Sequence, residues 1–150
     1  MMIVIGSDHG GFELKEAIKA LLQERSITVL DLGTSNGNDS VDYPDFGESV
    51  ARKVSQGEAE KGVLVCGTGI GMSIVANKFP GVRAALAADI YMAKMAKLHN
   101  NANILVLGGR VLDENEACEM VAAWLDTSFE GGRHQARLDK ISVLETELYK

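Results

Sequence analysis

The chain has 150 residues, 46% of them hydrophobic and 24% charged, with a formal net charge of −6. That length and balance fit one globular domain with a real core and exclude a disordered chain. The acidic balance argues against a nucleic-acid binder, no apolar run reaches membrane-spanning length, and Met-Met-Ile-Val at the start reads as a strand rather than a signal peptide.

Strand and helix signals alternate along the chain. Ile3 to Ser7 is an apolar strand that ends in Asp8-His9-Gly10-Gly11. Phe12 to Arg25 has helical spacing, with Leu14, Ala17, Ile18, Leu21 and Leu22 on one face. Ile27 to Leu32 is the second strand, and Gly33 to Asp42 is a polar loop. Tyr43-Pro44 opens a helix running to about Gln56, the proline falling in its first turn. Gly62 to Cys66 is a valine-rich third strand that empties into Gly67-Thr68-Gly69-Ile70-Gly71, and Ile70 to Lys78 then has helical spacing. Val82 to Ala87 is the fourth strand, followed by a helix to Leu98 capped by Asp89. Asn103 to Leu107 is the fifth, ending at Gly108-Gly109-Arg110. Helices over Glu114 to Asp126 and His134 to Leu148 close the chain.

Five strands alternating with helices predict a parallel sheet covered on both faces, a single-domain three-layer α/β/α sandwich of Rossmann-like type. Ligands in such sheets gather beyond the carboxyl ends of the strands. The expectation is that Asp8, His9, Cys66 to Gly71, His99, Asn100 and Arg110 cluster there.

The glycine-rich turn after the third strand carries the most chemistry. Its glycines let backbone N–H groups point inward, so the turn can hold an oxygen that becomes anionic during reaction. Cys66 stands at its lip, where a helix N-terminus favours the thiolate form of a cysteine. A core cysteine ending a strand is the competing reading, since free cysteine is commonly buried. Cys118 falls on the apolar side of a helix, and no Cys-x-x-Cys is present. Two unpaired cysteines fit a cytoplasmic protein with reduced thiols.

Arg133 and Arg137 stand four apart on one helical face, and guanidinium forks suit a phosphate. A solvated cationic face is the competing reading. On the same helix Leu138, Ile141, Leu144 and Leu148 form a narrow apolar stripe, either core packing or a seam for another subunit. The three histidines, His9, His99 and His134, lack a paired-ligand spacing, so neither a metal nor a cofactor is expected.

Several segments, taken in order, resemble the ribose-5-phosphate isomerase B family. They are Ser7-Asp8-His9-Gly10-Gly11, Val41-Asp42-Tyr43-Pro44, Cys66 through Ser73, Ala76-Asn77-Lys78, His99-Asn100-Asn101-Ala102-Asn103 and Gly131-Gly132-Arg133-His134. The resemblance implies a Rossmann-like sandwich with active sites shared between two subunits of a homodimer, sometimes assembled into tetramers. It implies metal-free interconversion of ribose 5-phosphate and ribulose 5-phosphate through a cis-enediol, in the pentose phosphate pathway.

By that resemblance Cys66 is the base moving a proton between C1 and C2. Thr68 and the amides of Gly67, Gly69, Ile70 and Gly71 hold the enediolate, and His99 helps open the furanose ring. Asp8 and Asn100 contact the sugar. His9, Arg110, Arg133 and Arg137 form the phosphate-proximal set, with His134 and Tyr43 as lesser members. Asn101 stands where many relatives carry aspartate, and Val75 where many carry alanine. Some relatives replace the cysteine by a glutamate farther along the loop, but Met72 to Val75 holds no carboxylate here.

Two rivals remain. Galactose-6-phosphate and allose-6-phosphate isomerases share much of the motif set. A flavodoxin-like module that binds a phosphate ligand without chemistry would need the glycine loop but neither Cys66 nor His99.

Overall fold

The computed structural model describes residues 1–149. One five-stranded sheet forms the centre, with all strands parallel and in the order β2-β1-β3-β5-β4. The strands are β1 (Met2–Ser7), β2 (Thr28–Asp31), β3 (Lys61–Cys66), β4 (Ala84–Leu86) and β5 (Ile104–Gly108). The helices are α1 (Phe12–Glu24), α2 (Tyr43–Ser55), α3 (Ile70–Ala76), α4 (Ile90–Leu98), α5 (Glu114–Asp126) and α6 (Arg133–Leu148). The predicted three-layer α/β/α sandwich is therefore observed. Its order differs from the flavodoxin-like 2-1-3-4-5 in that the last two strands exchange places.

Alternation along the strands divides the core. Ile3, Ile5, Val63, Val65, Leu105 and Leu107 face α1 and α5 and pack with Leu14, Ile18, Met120 and Trp124. Val4, Leu64, Cys66, Ile104 and Val106 face α2 and α3 and pack with Val50, Ala51, Met72 and Ala76. The central strands are buried on both faces, which explains why they read as continuous apolar runs.

Differences from the sequence reading lie at the ends of elements. A short 3-10 turn over His9–Gly11, capped by the Asp8 side chain, precedes α1. The third helix stops at Ala76 and the fourth strand shrinks to Ala84–Leu86. Asn77 supplies the reason. Its side chain donates to the Ser73 and Ala84 carbonyls and accepts from the Ala84 amide, tying the end of α3 to β4. The expected caps hold, with Asp89 accepting from the Met92 amide and Pro44 in the first turn of α2.

Two features fix the chain at the amino edge of the sheet. The fully buried Trp124 donates its indole N–H to the Ala102 carbonyl at 3.0 Å. The Glu130 amide donates to the Leu98 carbonyl at 3.0 Å. Together they pin the α5–α6 connection beneath the start of β5.

At the β2 edge, Lys15 is 1% exposed and its ammonium lies 2.7 Å from Asp31, which also takes Lys19 at 2.9 Å. Burial alone would push the Asp31 carboxyl up. Hydrogen bonds from Lys15, the Gly33 amide and Lys19 outweigh it and hold the carboxyl below the usual carboxylate range. A depressed folded-state value means that the stabilisation is present above the unfolded carboxylate range and is lost as pH falls through the folded value. Asp31→Asn would leave the buried Lys15 charge with Glu16 at 3.6 Å as its remaining carboxylate and the Phe12 ring at 5.1 Å. The expected loss is about 3 kcal/mol near pH 7. Urea denaturation at pH 7 and pH 3 checks this: the gap between wild type and variant narrows at the lower pH.

Candidate active site

Neighbouring strands bring their carboxyl ends together. β1 pairs with β3 and β3 with β5, with Ser7 opposite Val65 and Cys66 opposite Gly108. The residues that follow these strands therefore converge: Asp8 and His9, the loop from Gly67, and Arg110. The Asp8 amide donates to the Val65 carbonyl, the Gly109 amide to Cys66 and the Arg110 amide to Gly67. Backbone bonds thus stitch the three turns into one edge.

Cys66 is 5% exposed and faces the α2/α3 side of the sheet. Its Sγ accepts the Gly69 N–H at 3.2 Å, which fixes the thiol inside the turn. Gly69 has φ +84°, and an added Cβ would stand 2.5 Å from Leu86 Cδ1, so only glycine fits. The Ile70 N–H reaches Thr68 Oγ1 at 3.3 Å. The next amides, of Gly71 and Met72, lie in the first turn of α3, where a helix has no partners of its own for them.

The rest of the carboxyl-edge set lies close by. Asp8 Oδ1 accepts the Gly11 N–H at 3.1 Å, and His9 Nδ1 accepts the Val41 N–H at 3.2 Å. A Cβ at Gly67 would meet Arg110 Nη1 at 3.1 Å, so the guanidinium lies against the loop. A cleft of about 310 Å³ opens here, lined in part by His9, Gly10 and Gly109.

His99 and Asn100 stand elsewhere, and this corrects the expectation of a single cluster. They precede β5, so in a parallel sheet they occupy its amino edge. The length of β5 separates them from the Cys66 edge by about 15 Å. The start of α6 joins them there: the His99 and His134 rings stack with centroids 4.1 Å apart and planes 16° apart. Arg133 and Arg137 belong to this group and act on the charge of His134. The chain thus holds two separate clusters of candidate residues at opposite edges of the sheet.

His134 is 4% exposed, and its Nε2 has no hydrogen-bond partner. Burial, then His99 and the two arginines, lower its affinity for a proton, against the opposing pull of Glu130. Cations gather around this edge, and Lys97 is itself held down by burial and by Lys61 and Arg83. A cleft of about 370 Å³ lies here, lined by Asn100, Arg83, Leu138, Ile141 and Glu145 among others.

Glu130 is a neighbour that sequence reasoning missed, its Oε1 standing 3.8 Å from His134 Nε2. The four-residue spacing was visible, but Gly131 and Gly132 interrupt any helical reading of it. Tyr43 lies against the other edge: an added Cβ at Gly71 would fall 2.4 Å from its ring. Among the described residues, no helix is long and apolar enough to cross a membrane.

The fold is a parallel α/β sandwich with a thiol held inside a glycine turn at the carboxyl edge, where ligands of such sheets gather. Comparison with known proteins gives the family. The Ribose/Galactose Isomerase family matches residues 3–141, and the chain belongs to that family. It is 45% identical over 143 residues to ribose-5-phosphate isomerase B of Escherichia coli, covering 95% of each chain. The ribose-5-phosphate isomerase B structure from Clostridium thermocellum superposes with a TM-score of 0.95, at 50% identity and 99% coverage of both chains. That from Mycoplasma genitalium, solved with bound ribulose 5-phosphate, gives 0.94 at 43% identity, with 97% of each chain covered.

The Gly71–Tyr43 contact yields a test. Gly71→Ala forces the ring aside and is expected to cost about 1–3 kcal/mol. Tyr43→Ala in the same chain should recover part of that loss, because the clashing ring is gone. Thermal unfolding of the two single variants and the double variant checks this through the coupling energy.

Proposed function

We propose that this chain is a ribose-5-phosphate isomerase, a single isomerase domain that works as a cytoplasmic homodimer in the pentose phosphate pathway. The observation that carries the reading is the Cys66 thiol held by the Gly69 amide at the mouth of β3, in a chain that belongs to an isomerase family. Proton transfer between C1 and C2 needs a base beside the carbon and donors aimed at the enediolate oxygen. In this reading Cys66 is that base, and Thr68 with the amides of Gly67 to Gly71 are the donors. Such a step calls for no metal or cofactor.

The two clusters support the dimer. Cys66, Asp8, His9 and Arg110 belong to one edge of the sheet, and His99, Asn100, Arg133 and Arg137 to the other. One site therefore takes its base from one copy and its ring-opening histidine and phosphate-binding arginines from the partner. Exposed apolar side chains also support a second copy. On α6, Ile141, Leu144 and Leu148 are 51–72% exposed, and on α3 and α4 Ile70, Ile74, Ile90 and Tyr91 are exposed as well. Asp8 and Asn100 orient the sugar. The phosphate grip, far from the reacting carbons, supplies binding energy that positions them.

Two experiments test the reading. Cys66→Ala should abolish conversion in both directions. His99→Ala should become limited by spontaneous ring opening from ribose 5-phosphate but not from ribulose 5-phosphate, which has no furanose to open. Progress curves over a wide enzyme range, with five- and six-carbon aldose phosphates in parallel, measure this. Turnover confined to six-carbon substrates would move the assignment within the family, and turnover of none would favour a binding module.

Sharing between copies is tested by complementation. Cys66→Ala and Arg137→Ala chains, each nearly inactive at low substrate, are unfolded, mixed and refolded. About half of the dimers should be mixed, each with one intact and one doubly damaged site, restoring about a quarter of wild-type activity. No recovery would place all of the residues of one site in one chain.

A further inference from the structure

The amino edge carries ligand chemistry that proton transfer does not use. His99, Glu130 and His134 each offer one donor atom, and the three atoms lie within 4.8 Å of one another. His134 is more than nine-tenths buried, yet its Nε2 lacks a hydrogen-bond partner. The Glu130 carboxylate stands 3.8 Å away, too far to bond to it. A buried ring nitrogen left unbonded is an unmet demand, and the carboxylate that would complete a binding site stands beside it.

We propose that His99, Glu130 and His134 form an inhibitory site for a divalent transition ion of the zinc class. Two imidazoles and one carboxylate suit zinc, whereas magnesium and calcium prefer all-oxygen shells. Zinc bonds of about 2.0–2.2 Å put tetrahedral donors about 3.3 Å apart. The Glu130–His134 pair therefore needs to close by only about half an ångström, and the widest pair by about 1.5 Å.

The stack decides which side chain moves. Two nearly parallel rings 4.1 Å apart hold their lone pairs in separate planes, so a single ion cannot satisfy both as they stand. His99 is the less buried of the two and turns, while His134 stays in place. Turning His99 onto the ion withdraws it from a sugar ring. That consequence rests on the isomerase reading; binding of the ion does not.

Equilibrium dialysis of the untagged protein against Zn²⁺, with Mg²⁺ in a parallel arm, tests the site directly. One zinc and no magnesium per chain is expected. Glu130→Gln should weaken zinc by roughly tenfold or more, and Cys66→Ser, which removes the competing thiol, should bind as wild type does. Zinc retained in full by Glu130→Gln, or lost from Cys66→Ser, would overturn the proposal. Histidine-ring NMR should show two of the three rings shifting with zinc, and Glu130→Asp should restore part of the affinity. In the assay, zinc should suppress the aldose-to-ketose reaction and a chelator should restore it. Measured against its own zinc-free rate, Glu130→Gln should need roughly tenfold more zinc for the same fractional suppression. Zinc bound as described by a protein that turns over no sugar phosphate would sink the isomerase reading and leave the site standing. Turnover by a protein that takes up no zinc would do the reverse.

Discussion

Strand direction is the constraint on which the rest depends. All five strands run the same way, so whatever follows a strand lies at one edge and whatever precedes one lies at the other. β5 is flanked by chemistry on both sides, with His99 and Asn100 before it and Arg110 after it. The order β2-β1-β3-β5-β4 then makes β1, β3 and β5 neighbours. Three turns distant in sequence become one surface, because backbone bonds link Val65 to Asp8, Cys66 to Gly109 and Gly67 to Arg110. A hydrogen-bonded backbone moves less than free loops would, which suits donors that must already be aimed before charge develops.

Much of this was legible in the sequence. Buried parallel strands appear as valine-, isoleucine- and leucine-rich runs because both faces are covered, and β1, β3 and β5 were readable for that reason. The expected fourth strand is longer than β4: Val82 and Arg83 have strand-like neighbours, but the Arg83 amide and guanidinium bond to Asn103 and Asn101. Its carbonyl accepts from the Asn103 amide at 3.1 Å and only at 3.4 Å from Ile104 of β5. The Cys66 turn was visible through its glycines, since Gly69 must take a positive φ and Gly71 must leave room for Tyr43.

The histidines were harder. Proximity of His99 to a strand suggested membership of the carboxyl edge, yet strand polarity puts it at the other. The stacking of His99 on His134 joins residues 35 positions apart through a connection fixed by Trp124 and by the Glu130 amide. Periodicity carries no trace of such a contact, because it arises where a helix ends, a glycine pair turns the chain and a new helix begins. Motif spacing likewise spoke only to ligands on one helix, so it was silent about a carboxylate and two rings drawn from three segments.

Helix α6 links the two themes. Its first two turns carry Arg133, His134 and Arg137, and its far end is tied back to its own chain. The Gly81 amide donates to Glu145, and the Tyr149 hydroxyl donates to the Lys78 carbonyl. Between these anchors Leu138 is buried, while Ile141 and Leu144 stay half exposed. The helix is thus positioned by its own chain but not covered by it, and covering that face would bury apolar surface at roughly 25 cal/mol per Å². In the proposed dimer the same helix offers its arginines to a neighbour's substrate and its apolar side to a neighbour's surface. Association and phosphate recognition would then draw on one rigid element, so loosening the interface would also displace the arginines. A small chain whose sheet separates its reactive groups can assemble a complete site in this way without a longer fold.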